Sequence, residues 1–136
     1  MINDYSIDLA KYRLEKAKET IEAANDLITH NHFNDAVGRC YYAIFSAMRA
    51  LLALKKLDSK KHTGVIALFN QHFVKEKIFP LELQELIGQA KIIREKTDYG
   101  DFFSVPVEIA RQHLKNASRF VQEVEKTIQT MINDLN

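Results

Sequence analysis

The sequence has one cysteine, two prolines, four glycines and no tryptophan in 136 residues. A single cysteine excludes an internal disulfide framework and a four-cysteine zinc site, and it suits a reducing compartment. The few prolines and glycines fall mostly between periodic segments, and no long stretch alternates apolar and polar residues. This pattern is typical of an all-α protein.

The chain also lacks a charge of one sign and a long apolar run. Its 19 Lys and Arg against 18 Asp and Glu leave a formal net charge of +1, so bulk charge does not indicate nucleic-acid or membrane binding. The longest apolar run, Ala43 to Leu54, is interrupted by Ser46 and Arg49 and is shorter than the about 20 residues that span a bilayer. Because the N-terminus has no secretory signal pattern either, we expect a cytoplasmic protein without a membrane segment.

Apolar residues recur at helical spacing in five segments. These are a first helix ending at His30-Asn31-His32, a second from Phe33 to Lys55, a short third from Val65 to Val74, a fourth from Pro80 to Gly100, and a last one after Ser104 and Pro106 whose heptad pattern reaches Leu135. Asp4 or Ser6 is the predicted N-cap of the first helix. The prediction is one domain over residues 1–136, an up-and-down bundle of four long helices plus one short helix.

Several kinds of chemistry have no signature in the chain. There is no phosphate-binding glycine loop, dinucleotide motif or hydrolase elbow. No histidine has an acidic residue three positions before it, and His62, His72 and His113 stand alone in the sequence. Cys40 lies on the apolar stripe of the second helix, where a thiol is expected to be buried and inert. The sequence therefore predicts no metal site and no cofactor.

The polar face of the second helix is unusual. Asp35, Arg39, Tyr42, Ser46 and Arg49 lie on the side opposite the apolar stripe. Alternating arginine and tyrosine suit stacking and bidentate contact with anions. The alternatives are an ordinary solvated surface with an Asp35–Arg39 pair, or a subunit interface.

A second unusual feature is Arg94, which lies within the apolar stripe of the fourth helix. An unpaired buried guanidinium costs several kcal/mol, so Arg94 needs a partner or an opening to a cleft. The segment Asp98-Tyr99-Gly100-Asp101 follows. It provides either carboxylates that pair with Arg94 and fasten the helix end, or part of a polar pocket that binds phosphate or performs chemistry.

Three stretches carry a family resemblance. Residues 34–45 resemble the second helix of small prokaryotic HEPN-domain proteins, with the pattern polar-Arg-x-Tyr-Tyr-Ala-x-Phe. Residues 64–73 are similar to their short middle helix, and Arg94-x-x-x-Asp98-Tyr99-x-Asp101-Phe102 is similar to the end of their next helix. The three stretches occur in order along nearly the whole chain.

The resemblance implies a bundle of four to five helices that is usually a homodimer with a cleft near the dimer axis. Many HEPN proteins are metal-independent endoribonucleases or toxins, and many are encoded beside a minimal nucleotidyltransferase that acts as antitoxin or partner. Their catalytic signature is an arginine that contacts the scissile phosphate and, about four to six residues later, a histidine that supports proton transfer.

This sequence departs from that signature. Arg94 matches the arginine, but Tyr99 stands in the histidine's range and the next histidine is His113. A phenol with a pKa near 10 is a poor base at neutral pH, which argues against ribonuclease activity. Binding of an anion or a partner is compatible with the change.

We therefore weigh three functions. The first is a homodimeric, non-enzymatic or weakly active partner of a minimal nucleotidyltransferase in a toxin–antitoxin-type module, with an Arg-lined cleft for nucleotide or RNA. Its binding residues would be Arg39, Tyr42, Arg49, Arg94, Asp98 and Asp101. The second is an endoribonuclease toxin with Arg94 and Tyr99 as catalytic residues. The third is a structural adaptor that uses the polar face of the second helix.

Overall fold

The computed structural model describes residues 2–135, and within that range it contains five α-helices and no strand. They are α1 (Asp4–Thr29), α2 (Phe33–Leu54), α3 (His62–Phe69), α4 (Leu81–Tyr99) and α5 (Val107–Asn133). The predicted all-α bundle of four long helices and one short helix is confirmed.

The first helix is capped one residue before Asp4, the earlier of the two predicted N-caps. Asn3 is the N-cap, and its side-chain oxygen accepts a hydrogen bond of 2.9 Å from the backbone N–H of Ser6. The prediction of Asp4 or Ser6 is therefore wrong, since both lie inside the first turn of α1. At the other end, Asn31 adopts a left-handed backbone with φ 65°, which lets the chain reverse directly into α2.

Helix α2 lies at the centre of the bundle, where it packs against α1, α5 and α4. Thirteen of its 22 residues are buried, Cys40 and Tyr41 among them. Burial raises the pKa of the Cys40 thiol to about 12, so the predicted inert thiol agrees with its surroundings.

The same helix has the length and the mean hydropathy, 1.2, of a membrane-spanning segment. Of its most apolar window, 67% is buried against other helices of the bundle. The core helix of a bundle has these properties too, so length and hydropathy do not make α2 a membrane span.

The short helix α3 continues into a wider π-turn over Asn70–Val74, which together cover the predicted segment. This turn brings aromatic residues inward, and the rings of Phe69 and Phe73 stack with centroids 5.6 Å apart. The ring centroids of Phe79 and of Phe120 in α5 are 4.9 Å apart. The aromatic contacts fasten the end of α3 and the following loop to the core.

The last two helices close the bundle. Helix α4 buries Leu83, Ile87 and Ala90, while Pro80 caps it from outside rather than starting its first turn. The heptad positions of α5 are buried or partly buried as far as Met131. The helix ends at Asn133, however, and the half-exposed Leu135 lies beyond it, so extension of the heptad to Leu135 is wrong.

Candidate functional site

A groove of about 510 Å³ lies between the first half of α2 and the last turn of α4. We call it the α2–α4 groove, and it is lined by Leu27, Asn34, Asp35, Gly38, Arg39, Tyr42, Thr97 and Asp98. At one end of the groove, the side chain of Asn34 ties the start of α2 to the loop after α4. Its amide donates to the Phe103 carbonyl at 3.0 Å, and its oxygen accepts from the Val105 N–H at 2.9 Å.

Arg94 lies at the edge of this groove. Its Nη2 donates to the Tyr42 hydroxyl at 2.9 Å, and its Nε lies 3.3 Å from an Asp98 carboxylate oxygen. The guanidinium carbon is 5.2 Å from the centre of the Tyr41 ring and 5.0 Å from that of Tyr42, within the range of cation–π attraction. Arg94 is thus partly exposed, at 24%, and has partners on both α2 and α4.

A histidine that stands alone in the sequence belongs to the same group of side chains. The Nδ1 atom of His62, the first residue of α3, is 3.1 Å from the Tyr41 hydroxyl. The imidazole also packs against Phe45, with ring centroids 4.2 Å apart, and meets the Tyr42 ring edge-on at 6.2 Å. His62 thus stands alone in the sequence but has aromatic and hydrogen-bonding partners in the fold.

The surroundings change how two of these groups titrate. Burial lowers the pKa of His62 below its ordinary value of 6.5, and the positive charges of Arg94 and Lys91 lower it further. Burial raises the pKa of the Tyr41 phenol, although Arg94 opposes this shift. At neutral pH His62 is therefore an uncharged imidazole, and Tyr41 is a protonated phenol.

Arg39 and Asp35 both line the groove without pairing with each other. The ion pairs found among residues 2–135 do not include Arg39, so the alternative of an Asp35–Arg39 pair is not what the structure contains. Arg39 is exposed, and its guanidinium donors are available to a ligand.

Tyr99 and Asp101 are not part of this arrangement. Five residues along an α-helix turn through about 500°, which places Tyr99 about 140° around the helix from Arg94. Tyr99 is 83% exposed, and Asp101 lies in the exposed loop that follows α4. Among residues 2–135, Asp98 is the carboxylate that Arg94 reaches, and Arg94 does not pair with Asp101.

Arg49 lies in a different cluster, farther along α2. Its Nε and Nη2 donate to the two carboxylate oxygens of Asp58 at 3.4 and 3.1 Å. Arg13 of α1 lies 3.5 Å from the same carboxylate and donates to the Arg49 carbonyl at 3.2 Å. We call Arg13, Arg49 and Asp58 the Asp58 clasp, and it joins α1, α2 and the loop before α3.

The structure thus brings together Arg39, Tyr42, Arg94 and Asp98, and it adds Tyr41 and His62, which the sequence did not indicate. Tyr41 belongs to the apolar stripe of α2, and His62 follows a loop, so no periodic spacing relates either to Arg94. Within residues 2–135, no group of His, Cys, Asp and Glu side chains is arranged to hold a metal ion. The chemistry available is that of guanidinium, phenol and imidazole groups.

Comparisons with known proteins identify a family and several relatives. A family model described as the HEPN domain matches residues 10–127. A Methanocaldococcus jannaschii protein named "Putative toxin" is 33% identical over 122 residues, which cover 90% of this chain and 82% of that protein. A second protein of that name and organism is 34% identical over 88% of each chain. A UPF0332 protein of Thermotoga maritima is 32% identical over 90% of this chain and 93% of its own length.

Proposed function

The chain belongs to the HEPN family, and from that premise we propose that it is a cytoplasmic, homodimeric component of a toxin–antitoxin-type module. In this proposal the α2–α4 groove binds phosphate groups of RNA or of a nucleotide, and a minimal nucleotidyltransferase is the partner. The observation that carries the proposal is the arrangement of Arg39, Tyr42 and Arg94 around one groove.

The donors left over in this arrangement support anion binding. A guanidinium has five N–H donors, and Arg94 uses one on Asp98 and one on Tyr42. Because the Tyr42 oxygen accepts from Arg94, its own O–H is free to donate to a ligand. Arginine pairs bidentately with phosphate oxygens, and aromatic rings nearby provide stacking surfaces for bases.

Asp98 is best understood as a competitor for the ligand in this proposal. Its carboxylate is 42% exposed and pairs with Arg94 through one i,i+4 contact, which is worth about 0.3–0.5 kcal/mol. A phosphate can displace so weak a pair. Asp98 would therefore modulate binding to Arg94 rather than contact the phosphate itself.

The binding test is a titration of the protein with a fluorescent 2′-O-methyl RNA oligonucleotide, which cannot undergo attack by its ribose hydroxyls. We expect Arg94→Met to raise Kd by roughly 10- to 150-fold, equivalent to roughly 1.5–3 kcal/mol for a charged hydrogen bond. Asp98→Asn should tighten binding by about twofold, because it removes the competing charge.

The matched control is Arg119→Met, which removes an exposed arginine of α5 that does not line the groove. Its Kd should stay within about twofold of wild type, since a surface charge away from the site contributes mainly through screened attraction. Equal losses for Arg94→Met and Arg119→Met would mean that general positive charge binds the RNA, and the groove would lose its support.

Exposed aromatics beside the groove support the homodimer. Tyr99 is the last residue of α4, and Phe102, in the loop after it, is fully exposed with a left-handed backbone of φ 61°. An aromatic side chain held outward at some conformational cost is typical of an interaction surface. A strictly monomeric mass by light scattering at micromolar concentration would contradict the dimer.

The role in a toxin–antitoxin-type module has its own test. The two relatives named as toxins motivate it, and the neighbouring reading frame should encode a small nucleotidyltransferase. We expect induced expression of this chain alone to slow growth, and co-expression with that partner to restore it. Normal growth in both cases would favour the structural adaptor.

A further inference from the structure

We propose that a pocket between the start of α1 and the end of α2 binds a small organic acid, a molecule that carries one carboxylate on an apolar body. This α1–α2 pocket has a volume of about 400 Å³, which is in the range of small-molecule sites. None of the described residues that line it also lines the α2–α4 groove, so the proposal does not depend on the binding of RNA or of a nucleotide.

A buried hydroxyl in the wall of the pocket is the first argument. Ser6 is only 2% exposed, and it lines the pocket. Its backbone N–H donates to the Asn3 side chain, but among residues 2–135 its hydroxyl has no hydrogen-bond partner. Because buried polar groups in folded proteins are nearly always hydrogen-bonded, the Ser6 hydroxyl points to a polar atom inside the pocket.

The guanidinium of Arg13 is the second argument. Arg13 lines the same pocket, and its side chain is only 14% exposed. One of its nitrogens donates to the Arg49 carbonyl at 3.2 Å, and another lies 3.5 Å from a carboxylate oxygen of Asp58. These two contacts leave most of its N–H donors without a partner among the described residues. A nearly buried cation with spare donors is suited to a carboxylate, which accepts two of them at once.

The balance of charge defines the valence of the ligand. The charged residues of the lining are Arg13, Lys56 and Asp58, which leaves an excess of one positive charge. Arg49 also points at Asp58, so that carboxylate does not compensate Arg13 alone, and the first turn of α1 contributes the positive end of the helix dipole. A monoanion matches this excess, whereas Asp58 would repel a doubly charged phosphate more strongly.

Apolar side chains in the lining indicate that the ligand is more than a simple anion. Leu9 of α1, Ala53 of α2 and Leu57 provide them. The end of α2 sets the position of Leu57, because Lys56 reverses the chain with a left-handed φ of 58° and the Leu57 N–H donates to the Leu52 carbonyl at 3.0 Å. A hydrocarbon chain can lie against these side chains while its carboxylate reaches Arg13.

An NMR titration of the isotope-labelled protein with hexanoate tests the pocket, since it reports both the affinity and the place of binding. We expect saturable shifts of the backbone amides of Ser6, Leu9 and Leu57. From butanoate to hexanoate, Kd should fall by about fourfold for each added methylene, as expected for burial of that group. Hexanol keeps the chain without the charge and should bind at least roughly 10-fold more weakly than hexanoate.

Two substitutions test the polar side of the pocket. Ser6→Ala should raise the Kd of hexanoate by roughly 2- to 10-fold, and Arg13→Met by roughly 10- to 150-fold. The matched controls are Ser118→Ala and Arg119→Met on α5, which do not line the pocket and should leave Kd within about twofold of wild type. If Arg13→Met does not fold, as judged by circular dichroism, Ser6→Ala decides, because alanine is well tolerated in a helix.

The other possible results are also decisive. The absence of a saturable shift at tens of millimolar hexanoate, or shifts confined to other surfaces, would overturn the proposal. Equal affinity for hexanoate and hexanol would remove the role of the carboxylate, and tighter binding of inorganic phosphate would remove the role of the apolar wall. An unchanged Kd in both Ser6→Ala and Arg13→Met would likewise overturn it. None of these results bears on the α2–α4 groove, whose RNA titration depends on other residues.

Discussion

Two arginine clusters lie against α2, and they use their hydrogen-bond donors differently. In the Asp58 clasp, Arg49 donates to both carboxylate oxygens, and Arg13 spends its donor on a backbone carbonyl. In the α2–α4 groove, Arg94 gives one contact to a carboxylate and one to a phenol, while Arg39 has no ion pair among the described residues. The clasp thus directs two guanidiniums at one carboxylate, whereas in the groove Arg94 is shared between a carboxylate and a phenol and Arg39 is exposed.

The exposure of the charges sharpens this contrast. The Arg13 side chain is only 14% exposed, and burial followed by repulsion from Arg49 lowers the pKa of its guanidinium. Asp58 must therefore stabilise two cations that repel each other. Removing a partner from the clasp should cost folding free energy, whereas removing Arg94 from the groove should cost binding.

The two clusters are connected by a short loop. Asp58 also accepts a hydrogen bond of 2.8 Å from the Ser59 N–H, and His62 begins α3 soon after. The clasp and His62 thus lie at the two ends of one short loop, although the clasp and the α2–α4 groove share no side chain.

The largest effect on stability is expected from Asp58→Asn. It leaves two guanidiniums facing each other without a counter-charge, so the free energy of unfolding should fall by about 1–2 kcal/mol. Urea melts measure this loss. The control is Glu125→Gln, which breaks the surface pair of Lys18 and Glu125 and should cost about 0–1 kcal/mol. Equal losses would erase the distinction between the clasp and an ordinary surface ion pair.

Acid should also weaken the Asp58 clasp, because it neutralises the Asp58 carboxylate. Burial alone would raise the pKa of Asp58, but hydrogen bonds from Arg49 and Ser59 and the charges of both arginines hold it below its ordinary value of 3.8. A lowered folded-state pKa gives stability that is present above 3.8 and is lost as the pH falls below it. Urea melts through this range should show less acid destabilisation for Asp58→Asn than for the wild type, and parallel curves would contradict the assignment.

The sequence predicted what depends on periodicity. Apolar spacing identified the helices and the buried side of α2, because the 3.6-residue repeat directly determines which face is buried. It also grouped Arg49 with Arg39 and Tyr42, since all three share one face of that helix. In the structure, Arg49 lies farther along the axis of α2 than Arg39 and Tyr42. It pairs there with Asp58, whereas Tyr42 contacts Arg94.

What the sequence could not predict depends on loops and on contacts between helices. His62 reaches Tyr41 only because the loop after α2 turns back along that helix, and Asp58 in the same loop captures Arg49. No local spacing encodes either contact. The position of Arg94 beside Asp98 follows i,i+4 geometry, but its contact with Tyr42 depends on how α2 and α4 pack.

A smaller loss of stability is expected from Gly64→Ala, which tests the loop between the clusters. A Cβ at Gly64 would lie 2.0 Å from the Ser59 hydroxyl oxygen and 2.8 Å from its Cβ, so the loop must shift. We expect a net loss of about 1 kcal/mol despite the better helix propensity of alanine. Adding Ser59→Gly removes the obstructing side chain and should recover that loss, and failure of the double variant to recover would place the strain elsewhere.

The smallest effect is expected at the exposed phenol of Tyr99. Tyr99→Phe removes a hydroxyl that contacts nothing among residues 2–135, so stability should change by less than about 0.5 kcal/mol and RNA binding and cleavage should not change. The matched variant is Tyr42→Phe, which removes the acceptor of Arg94 and should weaken RNA binding by roughly 2- to 10-fold, the scale of one ordinary hydrogen bond. Binding titrations and cleavage assays of the two variants side by side separate the phenols. If Tyr99→Phe abolishes cleavage of RNA by the wild-type protein, the catalytic phenol of the endoribonuclease alternative would be correct.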